Sequence, residues 1–174
     1  MNTRTWWSIG GIITALAGCG SVPPVVRYTP PAVAESAVRD PIRFDDPRHA
    51  EQVVLYAYGL LGTGYQFGGR NPEAGLDCSG MVSYIVEQVS GKRLPHNAAR
   101  IAAQTRSVER DDLQPGDLVF FNTLNRPHSH MGIYLGEGKF IHAPNSRGAV
   151  RIERLASRYF STRFDGGRTL QPEI

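Results

Sequence analysis

The sequence predicts an α+β domain in which a small antiparallel β-sheet packs against helices. Two patterns carry this. Apolar residues recur at helical spacing between residues 50 and 89, whereas short apolar runs broken by Pro and Gly turns fill residues 118–153. Helices first and strands after, without regular alternation, argue against a parallel sheet. With 174 residues, 41% hydrophobic and 20% charged, the chain has material for one core and too little for two.

The N-terminal stretch reads differently. Arg4 precedes an apolar run from Trp6 to Ala17, and Leu16-Ala17-Gly18-Cys19 follows the pattern of a bacterial lipoprotein signal. Residues 1–18 are therefore expected to be a cleaved signal peptide, leaving Cys19 as a lipidated N-terminus that holds the protein on a membrane. The run is shorter than the roughly 20 residues a spanning helix needs. Gly20, rather than Asp, follows Cys19; for exported lipoproteins as a class this implies the outer membrane, facing the periplasm. Residues 19–46 carry Pro23, Pro24, Pro30, Pro31 and Pro41 without apolar periodicity, the composition of an extended tether. The folded domain is expected over residues 47–174, as a monomer.

Each element of that domain has a local reason. Asp46-Pro47 opens a helix, Asp accepting from first-turn N–H groups, and Ala50, Val53, Val54, Ala57 and Leu61 give it one apolar face up to Gly62. Gly64 to Pro72 is a glycine-rich loop that either turns tightly or lets backbone approach a ligand. Met81, Val82, Ile85 and Val89 mark a second helix starting at Cys78, with Asp77 or Ser79 as cap and Gly91 as its stop. Pro95 to Gln104 suggests a short Ala-rich helix, with His96 on the surface. Gln114-Pro115-Gly116-Asp117 is a turn into a strand over Leu118–Phe121. Further strands are expected over Ser129–Leu135, Phe140–Ala143 and Ala149–Glu153. A short helix over Leu155–Phe160 and an edge strand over Arg168–Leu170 complete the domain.

Charge narrows the partners. The net charge is +3, but no run of Lys or Arg is present, so nucleic acid is not an expected partner. Scattered arginines, Arg70 in the glycine-rich loop among them, suit a substrate bearing carboxylates. The chemistry centres on Cys78: a thiol at a helix N-terminus faces unpaired N–H groups and the positive end of the dipole, which favour the nucleophilic thiolate. His130 and His142 lie in adjacent predicted strands among apolar neighbours, where a polar residue is costly. Cys, His and His in that setting read as nucleophile, base and orienting group. His128, His130, His142 and Cys78 also number four zinc ligands, but the lone Cys lacks a paired ligand motif.

The ordered segments Y-Q-F-G-G (Tyr65–Gly69), D-C-S-G (Asp77–Gly80), Q-P-G-D-L-V-F-F (Gln114–Phe121), S-H-M-G-I-Y-L-G (Ser129–Gly136) and F-I-H-A (Phe140–Ala143) resemble the NlpC family of papain-like bacterial cell-wall cysteine peptidases. The resemblance implies a papain-like fold, no cofactor or metal, and hydrolysis of an amide in peptidoglycan stem peptides or their cross-links. It implies Cys78 as nucleophile, His130 as general base, His142 as the third residue and Tyr65 as a hydroxyl near the oxyanion. Asp77 and Ser79 would border the substrate, with Arg70 as a further contact. After Pro95 the family pattern has Arg-Thr or Arg-Ser, and here His96-Asn97 stands instead. A non-catalytic peptidoglycan-binding or hydrolase-recruiting lipoprotein, and a lipid acyltransferase on the same fold, remain alternatives at the level of sequence, as does the choice of bond.

Overall fold

In the computed structural model, which describes residues 40–144 and 148–172, the chain enters the fold before Pro47. The N–H of Ile42 donates to the Gln104 carbonyl at 2.7 Å and that of Phe44 to the Leu170 carbonyl at 2.5 Å. Phe44 is only 1% exposed. The expected tether therefore ends nearer Asp40 than Asp46, because Ile42 and Phe44 are tied into the fold by backbone bonds with one buried ring between exposed neighbours, which leaves no helical or alternating signal. The signal segment, Cys19 and the rest of the tether lie outside the described residues.

Helix α1 spans Arg48–Gly59. Asp46 accepts from the Arg48 backbone N–H at 2.9 Å, and Pro47 occupies the cap position itself. Ala50, Val53 and Ala57 face the core as expected, but Leu60 is buried and Leu61 exposed. The helix closes at Gly59, earlier than Gly62, and the change of direction swaps the two leucines. Strands β1 (Arg70–Asn71) and β2 (Gly75–Leu76) then form a small antiparallel hairpin, which the glycine-rich stretch did not announce.

Helix α2 runs from Cys78 to Ser90. The Asp77 side chain caps it by accepting from the Gly80 N–H at 2.7 Å, and Gly91 ends it in a left-handed conformation. Met81, Val82, Ile85 and Val86 are fully buried. Helix α3 (Ala98–Ala103) is capped by Asn97. It leads into β3 (Arg106–Val108) and a single 3-10 turn at Arg110–Asp112.

The main sheet adds β4 (Leu118–Phe121), β5 (His130–Gly136), β6 (Lys139–His142), β7 (Arg151–Arg154) and β8 (Phe164–Thr169), with a short helix α4 (Arg158–Ser161) before β8. Its six strands are antiparallel in the order β3-β8-β4-β5-β6-β7. The last strand, expected at an edge over Arg168–Leu170, is therefore interior and runs over Phe164–Thr169. Alternation along the strands divides the apolar residues. Leu118, Phe120, Met131, Ile133 and Ile141 join the helices in the main core, while Val119, Phe121 and Phe140 meet Leu155 and Phe160 of the α4 region on the other side.

The β5–β6 hairpin was expected to turn through Gly136-Glu137-Gly138 with Leu135 opposite Lys139. Instead Gly136 pairs with Lys139, and the turn consists of Glu137 and Gly138, both at positive φ. Glu137 takes a left-handed conformation that residues with a side chain seldom adopt, and the Tyr134 hydroxyl accepts from the Gly138 N–H at 3.0 Å. Leu135 becomes the extra residue of a bulge, after which Tyr134 pairs with Phe140 and Ile133 with Ile141. That register sets Gly132 opposite His142. A Cβ on Gly132 would meet the Ile141 carbonyl oxygen at 2.6 Å and His142 Cβ at 3.1 Å, so only glycine allows this approach.

Candidate active site

Cys78 is the first residue of α2, and the backbone N–H groups of Ser79, Cys78 itself and Met131 are directed to its thiol. Met131 is the second residue of β5, so the start of the helix abuts the start of the strand that carries His130. On its other side the helix start meets the glycine-rich loop, and Gly80 makes that approach possible. A Cβ there would run into the carbonyl of Gly69, which accepts from the Asp77 N–H at 3.2 Å.

His130 on β5 and His142 on the neighbouring β6 come together. Nε2 of His130 lies 2.7 Å from Nδ1 of His142, and both rings are buried. Aromatic rings pack around them: Phe160 stacks on His130 and meets His142 edge-on, Phe121 tilts against His130, and Phe140 tilts against His142. Removal from water disfavours the charged imidazolium. Burial pushes His130 down to about 4, and burial, then His130 and Arg151, holds His142 far below the ordinary range.

The thiol departs from the expectation set by its place at a helix N-terminus. The three N–H groups favour the thiolate, yet burial and then the adjacent Asp77 carboxylate outweigh them and push Cys78 up to about 11. Desolvating a nearly enclosed sulfur costs more than the partial charge of a helix end returns. At neutral pH the pair therefore rests as neutral thiol and neutral imidazole, an arrangement in which His130 can accept the thiol proton as the nucleophile is used.

Cys78 and His130 open on one cleft of about 330 Å³, shared with Tyr65, Asp77, Ser79, Thr123, Arg126 and Ser129. The Tyr65 phenol is held above its usual range by burial and by Cys78 and Asp77, so it stays a protonated donor beside the thiol. Phe67, 84% exposed, and Leu124 form apolar rims. Their positions follow from loop geometry, and no periodic signal marked them. Asp77 and Ser79 border the cleft as expected. Arg70 does not; it lines an adjoining hollow with His96, and its Nε donates to His96. His96, expected on the surface, has a side chain only 11% exposed and 3.0 Å from Asp77. His128 turns toward Asp165, 4.0 Å away, and packs edge-on against Phe120. Among the described residues no cluster of three or more His, Cys, Asp or Glu side chains could hold a metal ion.

A cysteine at the start of a helix, packed against an antiparallel sheet that presents a histidine to the same cleft, is the arrangement of the papain-like cysteine hydrolases. Within that class the chain belongs to the NlpC/P60 family, whose profile matches residues 62–169. It is 39% identical over 116 residues to the probable endopeptidase YafL of Escherichia coli K12, covering 65% of this chain and 47% of the relative. It is 36% identical over 111 residues to the murein DD-endopeptidase MepH of the same organism, covering 62% and 41%. The chain thus spans less than half the length of either relative. Its fold is similar to the crystal structure of an NlpC/P60 family protein from Bacillus cereus, with a TM-score of 0.65 and 28% identity, covering 71% of this chain and 40% of the other.

Proposed function

We propose that the protein is an exported cell-wall hydrolase that cleaves an amide bond of peptidoglycan stem peptides or their cross-links. The observation that carries this reading is that His130, which lines one cleft with Cys78, is held from behind by a 2.7 Å bond to His142, in a chain of this family. His130 Nδ1 takes the proton of the Cys78 thiol while the sulfur attacks the amide carbonyl. Tyr65 donates to the developing oxyanion. Collapse breaks the C–N bond, and the imidazolium returns the proton to the leaving amine. Water, deprotonated by the same imidazole, then attacks the thioester, releasing the acid and restoring the thiol. His142 orients His130 by accepting from its Nε2–H, which leaves Nδ1 free for the cysteine.

The location follows from the N-terminal sequence. Cys19, acylated after cleavage at Gly18, anchors the protein on the outer membrane, and the proline-rich segment lets the domain reach the wall. No helix among the described residues is long and apolar enough to cross a membrane.

The decisive experiment is digestion of purified murein sacculi by the full-length protein, with products identified by mass. New amino and carboxyl termini within the stem peptide name the bond. An intact murein profile, under conditions where Cys78 is reduced, would sink the hydrolase reading.

A further inference from the structure

His96 joins three separate parts of the chain. Arg70, on β1, donates from Nε to His96 Nδ1, and His96 Nε2 lies 3.0 Å from Asp77 Oδ1. A guanidinium N–H only donates. Nδ1 of His96 therefore keeps its lone pair, and the single proton of the neutral ring sits on Nε2, directed at the carboxylate. The same carboxylate also accepts from Gly80 N–H at 2.7 Å, Ser79 Oγ at 3.0 Å and Gly68 N–H at 3.0 Å. Three of these donors, from His96, Ser79 and Gly80, meet on Oδ1 and one, Gly68 N–H, on Oδ2. Oδ1 is therefore filled, and the carboxylate is held from both of its oxygens.

Asp77 immediately precedes Cys78, and its negative charge opposes ionisation of the thiol. A group that fixes this carboxylate and links it to a cation relieves that opposition. We propose that His96 is a positioning residue which, by bridging Arg70 to Asp77, sets both the place and the effective charge of the group beside the nucleophile. Around the relay stand Arg70 from β1, Asp77 at the start of α2, Tyr84 of α2, and the Glu87–Arg93 pair at 3.0 Å across the adjoining hollow. Around Cys78 stand Asp77, Tyr65 and His130. None of these besides Arg70 and His96 offers Asp77 a cationic route.

The proposal rests on Cys78 as the nucleophile, and its main readout needs no substrate. The rate of Cys78 alkylation by iodoacetamide is followed against pH in the full-length protein, by peptide mass so that Cys19 is not counted. Wild type is compared with His96→Leu, His96→Gln and Arg70→Gln. The His96→Leu profile moves up by about one pH unit, and kcat on murein falls roughly tenfold with KM little changed. His96→Gln, whose amide both accepts and donates, stays near wild type, and Arg70→Gln moves in the same direction by less. An unchanged alkylation profile in both His96→Leu and Arg70→Gln would overturn the relay. So would a raised KM at unchanged kcat and profile, which would make His96 a substrate contact. If His96→Leu lacks a melting transition, the exposed Arg70→Gln decides by its alkylation profile. Should wild type leave murein intact, the hydrolase reading fails while the alkylation profiles still judge the relay.

Discussion

His130 Nε2 and His142 Nδ1, 2.7 Å apart, share one proton, and that proton fixes the tautomer of both rings. A base toward Cys78 needs a lone pair on His130 Nδ1, so His130 Nε2 donates and His142 Nδ1 accepts. His142 then carries its own proton on Nε2, a buried atom without a partner among the described residues. The orienting role therefore needs an acceptor, not an imidazole as such. His142→Gln, which presents a carbonyl, should retain more activity than His142→Ala, for which kcat should fall about 100-fold or more. Initial rates on murein distinguish the two. Equal losses would remove the acceptor argument.

Cys78→Ser should abolish murein cleavage without disturbing the fold. The side chains are close in volume, but the hydroxyl is a far weaker nucleophile. Retained cleavage, with an unchanged melting curve, would exclude Cys78 as nucleophile. His130→Ala should be about as severe.

The buried histidines also make stability depend on acid. Their folded-state values lie below the ordinary 6.5, with His130 at about 4. The unfolded chain therefore binds more protons as pH falls through 6.5, and stability present above that value is lost progressively toward pH 4. Thermal melting between pH 7.5 and 4.5 should show this fall, and a His130→Gln variant should show a shallower one. The thiol has the opposite sign. Its folded value, raised to about 11 from 9.0, gives stability present below 9 and lost toward 11, an alkaline decline that Cys78→Ser should lack.

Gly132→Ala tests the close crossing of β5 and β6. Its methyl would meet the Ile141 carbonyl and His142 Cβ, costing about 1–3 kcal/mol of stability by overpacking. Because the displaced backbone carries His142, kcat should fall by more than the loss of folded protein explains. A lower melting temperature with normal kcat would mean that the histidine pair tolerates the shift.

Much of this site was legible because its signals are local. Asp77, Cys78 and Gly91 bracket α2 by capping chemistry alone, and His130 and His142 stood out as polar residues among the apolar neighbours of adjacent strands. The relay through His96 was not legible, since its partners Arg70 and Asp77 lie 26 and 19 residues away and the residue carries no periodic mark. The interior place of β8 was hidden for another reason. Phe-Asp-Gly-Gly-Arg-Thr lacks the apolar alternation of a central strand, yet Gly167 sits where a Cβ would meet the Val108 carbonyl and the Leu113 side chain, so missing side chains, not apolar ones, admit it. At the β5–β6 turn a three-residue loop was expected, but the bulge at Leu135 lets a two-residue turn through Glu137 and Gly138 bring His142 to the face of His130.

The placement of β8 between β3 and β4 also sets an order of events. Until residues 164–169 arrive, β4 has no neighbour on that side, and β3 has no strand to pair with at all. A chain emerging from the ribosome, or threading through a translocation channel from its N-terminus, keeps the Cys78 helix and the histidine hairpin without a finished platform until this late strand is inserted. Long-range pairing of this kind closes slowly. The platform beneath the Cys78 helix and the histidine hairpin is thereby completed only when the last strand of the sheet has been made.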